Sequence, residues 1–515
     1  MPDVSLDEAV RAVKSGLERA VDRFEPRVLV REEGRVVHAA DGVLRIGGIP
    51  SAALEEVLEI GAGSRALVLG LASHLTQAVA LDGAASIREG DAARLTGRVA
   101  SIEVGDALLG RVIDPLGRPL DGRAIIGPRV TVPIERAAPP IHHRAGVHAP
   151  LLTGTLAIDA MLPIGRGQRE LIVGDEGTGK TTIARDAMLR QASTDVVCVY
   201  CAIGRRRAET WAVAEALRRA GGRFIVVSAP EDTSAGLRYL APYAATAVAE
   251  HFTYRGEHAL VVHDDLSAHS IAWRELALLL RRPPGREAYP GDVFYLHARL
   301  LERAAQLSPD LGGGSLTALP IATLEGGRLS GYIPTNLVSI TDGQIVLSRA
   351  LFAAGQKPAI EVGTSVSRVG AKAQPQALRS LAGRLRLDYA SFLELEAFSR
   401  LGTRLEEATA RRIQLGGRLR ALMRGRPLAP LGLFDEAARL VLASEHDILL
   451  RLPAERVLDI ANDLVFGAAR ALPDVARAVD KDGVLAEAAQ RQLRDFFTAS
   501  VNDLYGDIPK ETKRD

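Results

Sequence analysis

The chain has 515 residues, 47% of them apolar, which is enough to bury several hydrophobic cores in about two to four domains. Lysine and arginine number 64 and aspartate and glutamate 63, so the formal net charge is only +1. A chain this close to neutral has no global field that would collect nucleic acid or anionic membrane, and we expect no nucleic-acid partner.

The sequence also lacks the usual features of a secreted or membrane-spanning protein. Its two cysteines, Cys198 and Cys201, exclude a disulfide scaffold and suit a reducing compartment. They lie three apart in a strand-like apolar run, so we expect them to point to opposite faces as buried small side chains rather than to bind a metal. No signal peptide and no run of about 18 apolar residues is recognised, so any connection to a membrane should pass through partners.

Residues 1–25 are predicted to form an amphipathic helix. Ser5 and Glu8 have the spacing of a capping box, and apolar residues recur every three or four positions from Leu6 to Phe24. Such an apolar stripe needs a cover. The helix either docks on its own domain or serves as a groove ligand for another subunit, and the sequence leaves both possibilities open.

Residues 26–96 have the pattern of a small all-β barrel. Short alternating runs at 34–40, 43–46, 66–71 and 77–81 are separated by turn residues such as the Asp-Gly pair at 41–42. The number and spacing of these runs favour a barrel of about 70 residues. No catalytic motif falls within it.

Residues 97–378 alternate strands with helices, which is typical of a doubly wound α/β domain. Within this part, residues 174–181 meet every fixed position of the phosphate-loop pattern G-x-x-x-x-G-K-[ST]. In such a loop the backbone N–H groups cradle phosphates, Lys180 supplies a charge to the β- and γ-phosphates, and the Thr181 hydroxyl can bind Mg²⁺. We therefore predict a RecA-like domain that binds ATP or ADP with Mg²⁺ through Gly174, Asp175, Glu176, Gly177, Thr178, Gly179, Lys180, Thr181 and Thr182.

A second motif is predicted to complete the metal site. The apolar run 259–262 is followed by His263, Asp264 and Asp265. A carboxylate at the carboxyl end of such a strand holds the Mg²⁺ shell in phosphate-loop proteins, and we assign Asp264 to this role, through a water molecule. Two aspartates after a strand are also typical of a helix cap, so a capping role stays an alternative.

Further strings are more specific than the phosphate loop. They include Tyr-Ile-Pro-Thr-Asn and Ser-Val-Ser-Arg-Val-Gly, and they lie at residues 287–294, 312–320, 332–336, 339–344 and 358–370. Together with the order of the domains, these strings resemble the alpha subunit of the F-type ATP synthase over nearly the whole chain. The resemblance implies three alpha and three beta subunits that alternate around a central gamma shaft, with six nucleotide sites at the interfaces and the catalytic sites mainly in beta.

Residues at two places bear on catalysis. Beta-like relatives carry a glutamate after the glycine that ends the second strand, whereas this chain has Arg205, which stays protonated and cannot act as a base. Hydrolysis in the chain's own pocket should be slow or absent, unless another carboxylate such as Glu209 acts instead. By resemblance, Arg368 is the arginine finger that reaches the beta catalytic site, and Ser339 is an interface residue near that site.

Residues 379–515 are rich in helical apolar patterns, with one apolar face expected from Leu385, Leu387, Phe392, Leu393, Leu395 and Phe398. By resemblance, this is the helical bundle that rests against the rotating shaft. The resemblance also implies a peripheral stalk partner for the N-terminal helix and an indirect connection to a membrane sector. The place would be the cytoplasmic face of the bacterial inner membrane.

Some positions depart from the family pattern. Glu176 and Gly177 replace an Arg-Gln pair in the phosphate loop, Glu361 stands in the place of Asn, Asp or His, and Arg424 and Arg426 occur where glutamines usually approach the adenine. These changes suggest a divergent, alternate bacterial form and a weakened or altered nucleotide site.

Two other functional classes stay open. A self-sufficient hexameric ATPase, such as a secretion motor or an RNA translocase, needs its own base where Arg205 stands, and an RNA translocase also needs a basic, aromatic oligonucleotide platform. A purely structural subunit would have lost nucleotide binding, which the intact Lys180, Thr181 and Asp264 argue against.

Overall fold

The computed structural model describes residues 32–399 and 406–506, together with Lys14. The amphipathic helix predicted for residues 1–25 lies outside these residues, apart from Lys14, and stays a prediction. The described residues form the three parts that the sequence predicts: a β-barrel, a central α/β domain and a C-terminal helical domain.

Six strands form the closed barrel: β1 (Glu33–Ala40), β2 (Val43–Gly47), β3 (Glu56–Ile60), β4 (Ser64–Leu71), β5 (Thr76–Ala80) and β6 (Ala92–Val99). They follow the order β1-β2-β5-β4-β3-β6, and every neighbouring pair is antiparallel. Asp41 and Gly42 form the predicted turn, with φ angles of 50° and 77°, which suits the twist of a two-residue hairpin. The barrel ends at Val99, beyond the boundary expected at residue 96.

The central domain contains ten strands: β7 (Ser101–Val104), β8 (Val112–Ile113), β9 (Val130–Pro133), β10 (Glu170–Gly174), β11 (Val196–Ile203), β12 (Phe224–Ala229), β13 (His258–Asp264), β14 (Ser315–Thr323), β15 (Gly343–Leu347) and β16 (Val366–Ser367). Eight of them form one sheet in the order β16-β15-β10-β14-β13-β11-β12-β8, parallel except for β16. Strands β7 and β9 pair separately. Because the main strands are parallel, the loops after β10, β11 and β13 meet at one edge of the sheet.

Helices cover both faces of this sheet, as a parallel sheet requires. Within the described residues of the central domain they are α1 (Leu156–Met161), α2 (Lys180–Arg190), α3 (Arg207–Ala220), α4 (Ala235–Thr253), α5 (Leu266–Leu279), α6 (Val293–Leu301), α7 (Tyr332–Ile340) and α8 (Arg349–Ala353). Helix α4 also packs closely on the barrel at Gly236. A Cβ added to this glycine would lie only 2.9 Å from the carbonyl oxygen of Ala80 in β5.

Strand β11 illustrates the two cores of the central domain. All eight of its residues are buried, with Cys198 and Tyr200 facing one core and Cys201 and Ile203 facing the other. The prediction of two buried cysteines on opposite faces is confirmed. Burial raises the pKa of Cys198 to about 12, so this thiol stays protonated at neutral pH.

The C-terminal domain is helical, as predicted. Its described helices are α9 (Gln376–Ser399), α10 (Glu407–Leu422), α11 (Leu433–Ser444), α12 (His446–Arg451), α13 (Val457–Ala471), α14 (Pro473–Asp482) and α15 (Glu487–Tyr505). The expectation that Leu387 belongs to the apolar face of α9 is wrong, because Leu385 is buried whereas Leu387 is 72% exposed. Residues two apart in a helix point in nearly opposite directions. Over residues 32–399 and 406–506, no helix combines the length and apolar character needed to cross a bilayer.

Candidate nucleotide-binding site

A glycine-rich loop joins β10 to α2 at the carboxyl edge of the sheet. Strand β10 is buried at all five positions and lies between β14 and β15. Gly177 and Gly179 have φ angles of 77° and 97°, a region that favours glycine. A Cβ on Gly174 would lie 2.8 Å from both Leu347 Cβ and Thr178 Oγ1. The glycines therefore allow the loop to curl tightly at the amino end of α2, where an anion is favoured.

Lys180 is the first residue of α2, and its side chain is anchored inside the loop. Its Nζ donates to the carbonyl oxygens of Gly174 at 2.8 Å and Asp175 at 2.9 Å. Burial lowers the pKa of Lys180, and the carboxylates of Asp265 and Asp264 oppose that shift. The loop thus places one cation where phosphate oxygens would arrive.

The rest of the loop is braced by its own polar groups. Thr178 donates from Oγ1 to the carbonyl oxygen of Asp175 at 2.7 Å, and the Asp175 carboxylate accepts from the Gly327 N–H at 2.8 Å. Glu176 is exposed at the tip of the loop. These bonds fix the loop without occupying its inner face.

Thr181 and Asp264, which the sequence predicts as metal ligands, lie together. Thr181 Oγ1 donates to Asp264 Oδ2 at 2.7 Å, and the buried Tyr200 hydroxyl donates to the same oxygen at 2.8 Å. Burial, together with the charge of Asp264, raises the pKa of Tyr200 well above its usual value, so the phenol remains a donor. Tyr200 was not predicted, because it lies in a uniformly apolar strand. Tyr200 lies diagonally across from Asp264 in the β11–β13 pair. Its contact with Asp264 could be predicted only if the register of these two strands were known.

The two neighbouring aspartates have different roles. Asp265 caps α5, since its Oδ1 accepts from the Ala268 N–H at 2.7 Å and its Oδ2 accepts from Thr323 Oγ1 at 3.0 Å. Asp264 faces Thr181 instead. The capping role that the sequence leaves open for this pair therefore applies to Asp265, while the metal role of Asp264 stays a prediction.

Arg205 extends to the same place from the end of β11. Its Nη2 donates to Thr181 Oγ1 at 3.2 Å, and its Nε lies 3.7 Å from Asp264 Oδ1 and 3.4 Å from Glu209 Oε2. Although burial opposes it, the charge of Asp264 raises the pKa of Arg205, which therefore stays cationic. The guanidinium lies against the two predicted metal ligands.

The chemistry of these donors fits a hard divalent cation in part. Asp264 Oδ1 is buried without a hydrogen-bond partner, and carboxylate and hydroxyl oxygens are the ligands that Mg²⁺ prefers. Arg205 is a second cation at the same oxygens. Thr181 and Asp264 therefore suit Mg²⁺ only if Arg205 and the ion share or exchange the position.

A cavity of about 500 Å³ adjoins the loop and lies between the central and helical domains. This volume is within the range of small-molecule sites, about 300–1,000 Å³. Arg424 donates to Gln356 Oε1 at 3.1 Å, whereas Arg426 is exposed and lies 3.4 Å from Asp459. The residues around the cavity that bear on the argument are Gly177, Thr178, Gly179, Thr182, Asp186, Phe352, Pro358, Arg424 and Arg426.

The predicted interface residues Arg368 and Ser339 lie on one exposed surface, away from this cavity. Arg368 Nη2 donates to the carbonyl oxygens of Val338 at 2.9 Å and Thr341 at 3.1 Å, at the carboxyl end of α7. Ser339 lies between these two residues and donates to the carbonyl oxygen of Thr335 at 2.9 Å. Cations are favoured at a helix carboxyl end, so α7 holds the guanidinium beside Ser339.

Comparison with known proteins gives matches over most of the chain. Residues 154–367 match the model for the ATP synthase alpha/beta family, nucleotide-binding domain, and residues 374–500 match the ATP synthase alpha/beta chain, C terminal domain. The chain is 51% identical over 461 residues to ATP synthase subunit alpha 2 of Gluconobacter oxydans (strain 621H), covering 89% of this chain and 91% of that protein. It is 52% identical over 441 residues to ATP synthase subunit alpha 3 of Paraburkholderia xenovorans (strain LB400), covering 85% of this chain and 82% of that protein.

Proposed function

The chain belongs to the ATP synthase alpha/beta family, and from that premise we propose that it is the noncatalytic alpha subunit of a rotary F-type ATP synthase. It binds ATP or ADP in its own pocket and alternates with beta subunits in a three-alpha three-beta hexamer around the gamma shaft. The assembly couples ion translocation to ATP synthesis or hydrolysis. The numbered relatives, alpha 2 and alpha 3, fit an alternate bacterial form.

The nucleotide occupies the loop and the adjoining cavity. Its phosphates meet the backbone N–H groups of residues 177–181 and the Lys180 ammonium, and its base and ribose enter the 500 Å³ cavity. When Mg²⁺ accompanies the nucleotide, it neutralises phosphate charge. Thr181 would hold it directly and Asp264 through water once Arg205 moves away from these oxygens.

The observation that carries the noncatalytic role is the position of Arg205. Hydrolysis needs a group that accepts a proton from the attacking water, and a guanidinium cannot do so. The carboxylate of Glu209, the alternative base, is paired with this arginine, since its Oε2 lies 3.4 Å from Arg205 Nε. The pocket therefore binds the nucleotide without an efficient base.

Arg368 gives the chain a part in catalysis elsewhere. It is exposed beside Ser339, and its guanidinium is oriented by two backbone carbonyl oxygens of α7 and its cap. An arginine finger acts on the charge that develops at the γ-phosphate of a neighbouring site. We infer that this surface meets the beta catalytic site.

The remaining contacts follow from the family. The N-terminal segment, residues 1–25, meets the peripheral stalk, and the helical domain faces gamma. The membrane sector is reached only through these partners, so the chain is peripheral at the cytoplasmic face of the bacterial inner membrane.

The test is ATP hydrolysis by three preparations: this chain alone, its beta partner alone, and the two mixed. Brisk turnover is expected only in the mixture, because each catalytic site needs beta residues and the arginine of this chain. Brisk turnover by the chain alone would overturn the noncatalytic assignment and favour a self-sufficient hexameric ATPase.

A further inference from the structure

Arg205 occupies a position that the sheet determines. Strands β11 and β13 pair in parallel, with Ala202 opposite Asp264, so the residues that follow β11 lie beside the end of β13. Gly204, with a φ of 64°, turns the chain there. The arginine is therefore directed toward Asp264 by the fold, and its side chain is only 31% exposed.

The hydrogen bonds of Thr181 show how Arg205 and a metal ion would compete for its hydroxyl oxygen. A threonine hydroxyl has one hydrogen and two lone pairs. The hydrogen of Thr181 goes to Asp264 Oδ2, and one lone pair accepts from Arg205 Nη2. The arginine leaves one lone pair of this hydroxyl, so a metal ion bound there would lie directly beside the guanidinium.

The second predicted metal ligand is covered by the same side chain. Asp264 Oδ1 is buried without a hydrogen-bond partner, and the nearest cationic atom that the structure describes for it is Arg205 Nε at 3.7 Å. Arg205 Nε is itself buried without a hydrogen-bond partner. The guanidinium thus lies over both oxygens that would face Mg²⁺.

We propose that Arg205 is a resident cation of this pocket and takes the place of Mg²⁺, so that the chain binds ATP or ADP without requiring a divalent metal. This inference rests on the proposed nucleotide-binding function. A guanidinium is permanently charged and has five N–H donors in a planar fork. It keeps its contacts with Thr181 and Asp264 while its other N–H groups donate to phosphate oxygens.

The charge distribution supports this arrangement. The buried groups of the pocket include one ammonium, that of Lys180, and the carboxyl groups of Asp175, Asp264 and Asp265. Arg205 supplies a second positive charge without an ion taken from solution. A divalent ion that enters must either displace this guanidinium or bind beside a like charge.

The experiment is a calorimetric titration of the purified full-length chain with ATP, once with excess Mg²⁺ and once with EDTA. For the wild-type chain, the two dissociation constants are expected to agree within about threefold. For Arg205→Gln, the dissociation constant in EDTA is expected to exceed that in Mg²⁺ by about tenfold or more. Electron paramagnetic resonance of Mn²⁺ with ATP gives a second readout, in which Arg205→Gln should hold more bound Mn²⁺ than the wild type.

Arg207→Gln is the matched control, because Arg207 carries the same charge and lies two residues after Arg205. Its side chain is 59% exposed and is paired with Asp232. It should behave as the wild type. Wild-type binding that is lost in EDTA would overturn the resident-cation proposal while nucleotide binding stands. Absence of ATP binding under both conditions would overturn the nucleotide-binding function and this proposal together. The wild-type comparison needs no variant, so it decides even if Arg205→Gln does not fold.

Discussion

The hydroxyl of Tyr200 donates a hydrogen bond of 2.8 Å to Oδ2 of Asp264, the same oxygen that accepts from Thr181. Asp264 is 1% exposed, so these two hydroxyls take the place of bulk solvent at its Oδ2. The phenol therefore fixes the orientation of the carboxylate from beneath, while Thr181 and Arg205 contact it from the side of the loop.

Tyr200→Phe is expected to weaken ATP binding by the full-length chain about tenfold. A hydrogen bond to a charged group contributes roughly 1.5–3 kcal/mol, and part of that loss should reach binding through the looser carboxylate. The dissociation constant from calorimetric titration measures the effect.

Tyr243→Phe is the control for that variant. Tyr243 is also buried in the central domain, but its hydroxyl donates to the carbonyl oxygen of Leu296 at 2.8 Å. It should lower the thermal midpoint and leave ATP affinity unchanged. An equal loss of affinity in both variants would mean that the domain loosens as a whole.

Arg368→Ala is expected to reduce ATP turnover by the mixture of this chain and beta by roughly 10³- to 10⁵-fold, or about 4–7 kcal/mol of barrier. The reason is the loss of a positive charge near the γ-phosphate during transfer. Turnover is measured on hexamers isolated by gel filtration, so that a failure to assemble is recognised.

Arg379→Ala provides the comparison for Arg368→Ala. Arg379 is exposed, and its Nη2 likewise donates to two backbone carbonyl oxygens, those of Lys372 and Gln374. It should change turnover by less than about threefold, since it is not predicted to reach a phosphate. If Arg368→Ala behaved in the same way, the finger role would be wrong.

Much of this architecture is predictable because its signals are local. The phosphate loop has fixed spacing, the barrel alternates with period two, and the Asp41-Gly42 turn needs positive φ at both positions. The apolar run before Asp264 places a carboxylate at a strand end without knowledge of strand order. Each inference needs only a short stretch of sequence.

The contacts that the sequence does not predict depend on which strands and helices become neighbours in the fold. Tyr200 meets Asp264 only through the pairing of β11 with β13, and Arg205 meets Thr181 across the same edge. Arg303 and Glu250 are 53 residues apart and no sequence pattern pairs them, yet both are buried. Sequence periodicity does not encode such long-range contacts.

Arg303→Met is expected to destabilise the central domain by up to about 3–5 kcal/mol, because it leaves the buried Glu250 carboxylate with only the half-exposed Arg136, whose Nη1 lies 3.6 Å from Glu250 Oε2. Arg303 donates to both oxygens of Glu250, at 2.8 and 2.7 Å, and to the carbonyl oxygen of Ile134 at 2.9 Å. The thermal midpoint measured by calorimetry should fall clearly. Adding Glu250→Leu should recover much of the loss, since the isolated charge is then removed.

Arg207→Ala is the matched control for this ion pair. Arg207 and Asp232 are 59% and 58% exposed, and pairs of this kind contribute about 0–1 kcal/mol. Its thermal midpoint should stay near that of the wild type. If Arg207→Ala lowered the thermal midpoint as much as Arg303→Met, burial would not be the reason that loss of the Arg303–Glu250 pair destabilises the domain.

Asp186 provides a prediction about pH. Its Oδ1 accepts from the Leu428 N–H at 2.9 Å, and burial raises its pKa to about 6. The unfolded chain has the lower pKa of about 3.9, so between these values the native state binds more protons. The contribution of Asp186 to stability is therefore full below about pH 4 and is lost as the pH rises through about 6.

Asp186→Asn keeps an oxygen for Leu428 and removes the buried charge. Near pH 7.5 it should stabilise the chain by on the order of 1 kcal/mol, a figure reduced for the partial exposure of this side chain. The gain should shrink to nearly nothing near pH 3, where the wild-type aspartate is largely protonated in both states. The measurement is the difference between the thermal midpoints of the two proteins at each pH. The effects of pH that are common to both proteins cancel in this difference. A gain equally large at both pH values would therefore mean that it comes from packing and not from the charge of Asp186.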